Sequence, residues 1–366
     1  MNSKERVKRA LERNEVPDRV PIQFDLSREL LEEFSDRLGI PVDYRESYYE
    51  DLMYRISGNE LRTKMGSDCV IVGGGHPEGY EEKELENGHQ VNEFGMEMRQ
   101  GPLYMEVVNP PLADIDSEEE ALEYEFPDPH ADGRYSEAEA DLEEYESEYY
   151  VVGDCELTMF EISWHLVGME KFLRDLTLGK DYTEVLLQKS IDWTRGVARE
   201  LAELGVDALW FGDDVGAQDG LLISPDLWRD RFKPKYREVF EEAREIAEDI
   251  TIIFHSDGAV APLIDDLIEI GVDVFNPVQP GVPGHEPVDL QEQFGERISF
   301  FGSIDQQQLL PNGSPSDIEA DVKSKIDVLG EGGGFMIAPA HIIQSDTPPE
   351  NVEAFIDAAL KHGEYV

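Results

Sequence analysis

Short apolar runs recur along the chain: VPIQF (20–24), CVIVG (69–73), YYVVG (149–153), ALWFG (208–212), TIIFH (251–255), VFNPV (274–278), ISFFG (298–302) and GFMIA (334–338). Runs this short and this uniformly apolar read as strands buried on both faces. Amphipathic stretches at helical spacing separate most of them, at 171–178, 182–204, 226–247 and 262–270. Three of the runs are entered through the same tripeptide pattern: Gly66-Ser67-Asp68, Gly205-Val206-Asp207 and Gly271-Val272-Asp273. A glycine that closes a helix, followed at once by a buried strand, is half of a βα repeat. Eight such strands with intervening helices predict an α/β fold, a (β/α)8 TIM barrel rather than an open sheet.

One region departs from the repeat. Residues 84–108 alternate polar and apolar positions around Asn87-Gly88 and Phe94-Gly95, which predicts an antiparallel hairpin inserted after the second strand. Residues 113–148 are strongly acidic and contain Pro127-Asp128-Pro129, and read as a solvated surface excursion. Too little apolar material precedes this stretch to build a separate core, so the expectation is one domain over 1–366 with an insertion at 84–148.

Charge then narrows the setting. With 31 Lys and Arg against 81 Asp and Glu, the net charge is 31 − 81 = −50. Self-repulsion of that size destabilises a compact state unless dense salt screens it, which points to a halophile's cytoplasm. The acids are spread over the whole chain, so they describe the solvent rather than a substrate. No lysine or arginine cluster is present to neutralise phosphates, which argues against nucleic acid as a partner. No apolar run approaches the ~18 residues of a membrane span, and the charged first residues do not resemble a signal peptide. The two cysteines, Cys69 and Cys155, lie in or beside apolar runs and read as small buried hydrophobes rather than a disulfide.

In a barrel of this kind the reactive groups stand at the carboxyl ends of the strands. Reading those ends in order gives Gln23 and Asp25, then His76, then Glu156 and Glu161, then Asp213 and Asp214 with Gln218. The later ends give His255-Ser256-Asp257, Asn276 with Gln279, Asp305 with Gln306, and His341 with Gln344. In so acidic a chain a single Asp has an ordinary surface explanation. Histidine is scarcer: of eight, His255 ends a late strand and His341 closely follows another. The segment GDDVGAQ (212–218) ends a strand in two acids inside a flexible turn, which suits either a general base or the capping of a following helix. Trp164, on the helix that carries Glu161 and His165, reads as core.

The segments HSDGAVAPLIDDLIEIGVDVFNPVQP, FFGSIDQQQLLPNGSP and GGGFMIAPAHIIQSDTPPENV, in that order, resemble the carboxyl-terminal half of the uroporphyrinogen decarboxylase-like superfamily. The resemblance is clear over about 207–352 and diluted from Arg6 onward. It implies a (β/α)8 enzyme, either a tetrapyrrole decarboxylase or a methyltransferase working with a corrinoid. The departures bear on that choice. Where the decarboxylases carry arginines for the substrate's carboxylates, PIQFDLSREL places Leu26 and Leu30. Where their aspartate would align, CVIVGGGHP offers Gly75, although the late histidine is retained as His341.

The methyltransferase branch is expected to bind zinc through a His-x-Cys pair and a late cysteine. Asp257 and His341 stand here in place of the two cysteines. The resemblance thus implies a metal set of His255, Asp257 and His341 for zinc or another divalent ion, and a nitrogen–oxygen set suits an oxygen substrate better than a thiol. On this reading His341, Asp213 and Asp214 are catalytic, and Gln23, Asp25, His76, Glu161, Gln218, Asn276, Gln279 and Asp305 bind substrate. The partners are a small molecule and a corrinoid protein, with a homodimer left open. Two alternatives stay open: a lyase acting on a tetrapyrrole or smaller acid through His341, without cofactor, and a non-catalytic ligand-binding barrel.

Overall fold

The computed structural model describes residues 1–13, 15–47, 54–101 and 105–365. Seven parallel strands form one sheet in chain order: β1 (Cys69–Gly73), β2 (Tyr150–Asp154), β3 (Ala208–Gly212), β4 (Thr251–His255), β5 (Val274–Asn276), β6 (Ser299–Ile304) and β7 (Phe335–Pro339). The expected first strand closes the ring without becoming a regular ladder. The Gln23 N–H donates to the Ile337 carbonyl at 3.1 Å, the Ile337 N–H donates to the Pro21 carbonyl at 2.9 Å, and on the other side the Asp68 N–H donates to the Ile22 carbonyl at 2.8 Å. Pro21 has no N–H to give, which interrupts pairing there. Proline also shortens β5, which stops at Asn276 before Pro277.

The repeated Gly-x-Asp tripeptide acts as a clasp at the foot of three strands. Gly66, Gly205 and Gly271 all take positive φ, from 96° to 119°, a conformation that suits glycine. Each following aspartate then grips the preceding strand twice. The Asp68, Asp207 and Asp273 N–H groups donate to the carbonyls of Ile22, Val151 and Ile252. Their carboxylates accept from the N–H of the same three residues at 2.8–2.9 Å. Cations pair with all three carboxylates: Arg6 and Arg19 with the buried Asp68, Lys4 with Asp207 and Arg244 with Asp273.

Alternation along the strands sorts the core in two. Cys69, Ile71, Tyr150, Val152, Ala208, Trp210, Ile253, Val274, Phe301, Met336 and Ala338 pack together inside the barrel. The helix α1 (Ser3–Glu12) adds Val7 and Leu11, spaced i, i+4, to that cluster. Residues of the opposite parity, such as Leu209, Phe211, Ile252 and Phe254, join the larger layer under the outer helices. Cys69 and Cys155 are both buried and free.

The insertion is more ordered than its sequence suggests. In place of one hairpin it forms a four-stranded antiparallel meander, Lys83–Glu84, Gln90–Val91, Glu97–Gln100 and Met105–Asn109, and residues 102–104 of the expected hairpin lie outside the described residues. The acidic stretch contains helices at Glu118–Glu123 and Ser136–Tyr145. The second buries Ala138 and Leu142 against the core and packs beside β1, so it is a barrel helix and not a solvated excursion. Two apolar side chains at i, i+4 suffice for this, and the surrounding acids mask them in the sequence. Among the described residues no helix is long and apolar enough to cross a membrane.

Candidate functional site

The inward-facing positions turn polar at the carboxyl end of the barrel. Above Trp210 and Phe301 stand Gln23, Asp25, His255 and Asn276, and His341 follows β7 to complete the wall of a small pocket. His255 is 4% exposed. Its Nδ1 lies 2.6 Å from Asn276 Oδ1, and its Nε2 faces Asp214 Oδ1 at 3.6 Å and Asp257 Oδ1 at 3.9 Å. The His341 ring lies 5.9 Å from the His255 ring, nearly edge-on. One ligand atom from each of His255, Asp257 and His341 falls within 4.8 Å of the others.

The electrostatics follow from three carboxylates, Glu156, Asp257 and Asp214, crowded around His255. Burial opposes charge on His255, but Glu156, Asp257 and Asp214 outweigh it and raise its pKa. Burial lowers His341 to about 3, and His255 and Arg55 push in the same direction, so this ring is neutral and able to ligate. Burial and the neighbouring Asp214 hold the Asp257 carboxyl well above the ordinary carboxylate range. Burial does the same to Glu161, reinforced by Asp214, Asp213 and Glu156. Two imidazoles and a carboxylate, one imidazole fixed by a hydrogen bond from its far nitrogen, fit a first-row divalent ion.

Other predicted residues have different work. Asp213 is fully buried and faces away from the pocket, toward the helix α2 (Met159–Val167). Its carboxylate accepts the N–H groups of Phe160 at 2.8 Å and Glu161 at 3.0 Å and the hydroxyl of Tyr236, so it caps α2. Strand parity explains the split: Trp210, Gly212 and Asp214 share the inward phase, whereas Leu209, Phe211 and Asp213 share the outward one. Gln279 Oε1 accepts the Gly258 N–H at 2.6 Å and shapes the loop bearing Asp257. Asp305 caps the N–H groups of Gln307 and Gln308. His76 stacks on Tyr80 and lies 3.7 Å from Glu93 in the insertion, and Gln218 is exposed in a short β-ribbon. None of these four lines the pocket between His255 and His341.

Two buried arginines escaped the sequence reading. Arg55 lies 3.9 Å above the Trp210 ring and bridges Asp25 Oδ2 at 3.2 Å to Glu156 Oε2 at 2.6 Å. Arg62 binds the other oxygen of Asp25, where Gln23 also donates at 2.9 Å. Both cations are therefore already engaged by carboxylates. Glu156 had a usable signal, because it continues the inward parity of Tyr150, Val152 and Asp154. Arg55 sits in a loop, where no periodicity reports direction. Leu26 and Leu30 are buried in the core.

Residues 142–362, more than half of the chain, match the uroporphyrinogen decarboxylase (URO-D) family, and the chain belongs to that family. Among curated relatives it is 24% identical to the methylcobamide:CoM methyltransferase MtbA of Methanosarcina mazei over 222 residues, 60% of each chain. It is also 33% identical to the uroporphyrinogen decarboxylase of Erwinia tasmaniensis, over 70 residues and 19% of each chain. The chain thus spans about 60% of the length of the methyltransferase relative. A solved methyltransferase from Methanosarcina mazei superposes with a TM-score of 0.74 at 20% identity, covering 99% of both chains, which establishes the shared barrel fold.

Proposed function

We propose that this chain is a metal-dependent methyltransferase that moves a methyl group between a small methylated compound and a corrinoid carried by a partner protein. The observation that carries the reading is the convergence of His255, Asp257 and His341 at the carboxyl end of the barrel, their ligand atoms within 4.8 Å of one another. Similarity to a methylcobamide:CoM methyltransferase supports the reaction class. The engagement of Arg55 and Arg62 by Asp25 and Glu156 speaks against a polycarboxylate substrate, which needs uncommitted cations.

His255, Asp257 and His341 would hold the ion, zinc or another divalent metal. Such an ion supplies Lewis acidity that lowers the pKa of a bound hydroxyl or thiol. Asp214, facing His255 at 3.6 Å, would return a proton to that atom when a methylated donor gives up its methyl to the corrinoid, and would take the proton when the atom accepts a methyl in the reverse direction. Asp257 brings a carboxylate where a thiolate would favour sulfur, so the site suits oxygen at the reacting atom. Trp210 and Phe301 close the floor and exclude water below the histidines.

Metal analysis of protein purified in multimolar potassium chloride, followed by a screen of methylated oxygen, nitrogen and sulfur donors with cob(I)alamin, tests the proposal. One equivalent of a divalent metal and a methyl transfer abolished in His255→Ala are expected. Full transfer by metal-free protein would overturn it.

A further inference from the structure

We propose that Asn276 is a positioning residue that selects the tautomer of His255. The assignment rests on the metal-site reading above. Asn276 stands opposite His255 in the β4–β5 register, with its side chain beside the imidazole. Its amide can be oriented from its surroundings. Nδ2 donates to the Phe301 carbonyl at 3.3 Å, and a carbonyl can only accept. Oδ1 must then be the atom turned to His255 Nδ1, 2.6 Å away. An amide oxygen also only accepts, so Nδ1 carries the proton and Nε2 presents its lone pair toward Asp214 and Asp257. Glu156 Oε1, at 3.8 Å from Nδ1, is beyond hydrogen-bond reach, and the other oxygen of that carboxylate is held by Arg55.

The consequence is directional. One lone pair and one N–H of its amide are engaged in this way, so Asn276, which its strand-end position alone offers as a substrate contact, acts first on the imidazole. Its Phe301 contact ties the imidazole to β6, so the plane of the His255 ring is set by two neighbouring strands rather than by its own rotamer alone.

The test uses the full-length protein in multimolar potassium chloride, with zinc as the metal probe. Nitrogen-15 resonances of His255 in metal-free protein at alkaline pH should show the Nδ1–H tautomer in the wild type and in Asn276→Asp, which keeps an acceptor. In Asn276→Leu they should show loss of that preference. Zinc affinity, measured by competition with a chromophoric chelator, should fall about 10- to 100-fold in Asn276→Leu and stay near wild type in Asn276→Asp. Asn276→Ala repeats the comparison if the leucine variant does not fold. Wild-type tautomer and affinity in the leucine and alanine variants, or equal losses in Asn276→Asp, would overturn the assignment. If the wild type binds no zinc, the metal reading fails, and the tautomer measurement decides the role of Asn276 by itself.

Discussion

Replacing Asp213 by asparagine separates a structural aspartate from a catalytic one. The carboxylate takes two backbone N–H groups at the start of α2 and the Tyr236 hydroxyl. An asparagine offers one acceptor oxygen, so at least one buried donor loses its partner, at a cost of about 1–3 kcal/mol. A second effect depends on pH. Burial raises the Asp213 carboxyl from 3.8 to about 6. The folded state therefore holds this proton more tightly than the unfolded chain, and stability falls as pH rises through that interval. The full difference is roughly 3 kcal/mol, at 1.36 kcal/mol per tenfold change. About half of it, roughly 1.4 kcal/mol, falls between about pH 5 and pH 8, a range above the sequence pI of 4.3. Asparagine cannot ionise and lacks this slope. Urea unfolding of both proteins in saturating potassium chloride should show the variant less stable near pH 5, with the gap narrowing by about 1–1.5 kcal/mol toward pH 8. Parallel pH curves, or a variant that keeps its stability while losing methyl transfer, would refute the capping role and return Asp213 to the reaction.

Three further outcomes are expected. His341→Ala should abolish methyl transfer and weaken metal binding with little change in unfolding midpoint; retained turnover would remove His341 from the site. Arg55→Met should destabilise the fold by about 3–5 kcal/mol, because Asp25 and Glu156 would be left buried without their shared cation; an unchanged urea midpoint would argue against that bridge. With a net charge of −50, the protein should unfold progressively as potassium chloride is diluted from multimolar levels, and full stability in dilute buffer, followed by circular dichroism, would contradict the halophilic reading.

Much of the barrel is visible in the sequence because its repeat is local. Each Gly-x-Asp followed by a short, mostly apolar run encodes a helix end, a turn and a buried strand within one short window. The first strand and the acidic helix at 136–145 are harder, since Pro21 breaks one ladder and the second hides two apolar residues among acids. At the site, His255, Asp257 and His341 are legible from their strand-end positions. Asp213 and Asp214 are adjacent in sequence and face opposite ways, and only the period-two phase of β3 tells them apart. Arg55 and its clamp on Asp25 and Glu156 depend on the path of a loop, which composition and periodicity do not encode.

The aspartate clasps lie at the opposite end of the strands from the chemistry, roughly 16 Å away for five residues at 3.3 Å each. Each one indexes its strand against the preceding strand before a single pocket residue is reached. The phase of every later position, and with it the choice of which side chains look inward, is thereby set at the foot of the barrel. Loops beyond the upper rim are free to change length or donor type without sliding the staves past one another. A scaffold indexed from below can change the donor atoms at its mouth, where Asp257 and His341 stand, and leave the rest of the barrel in register.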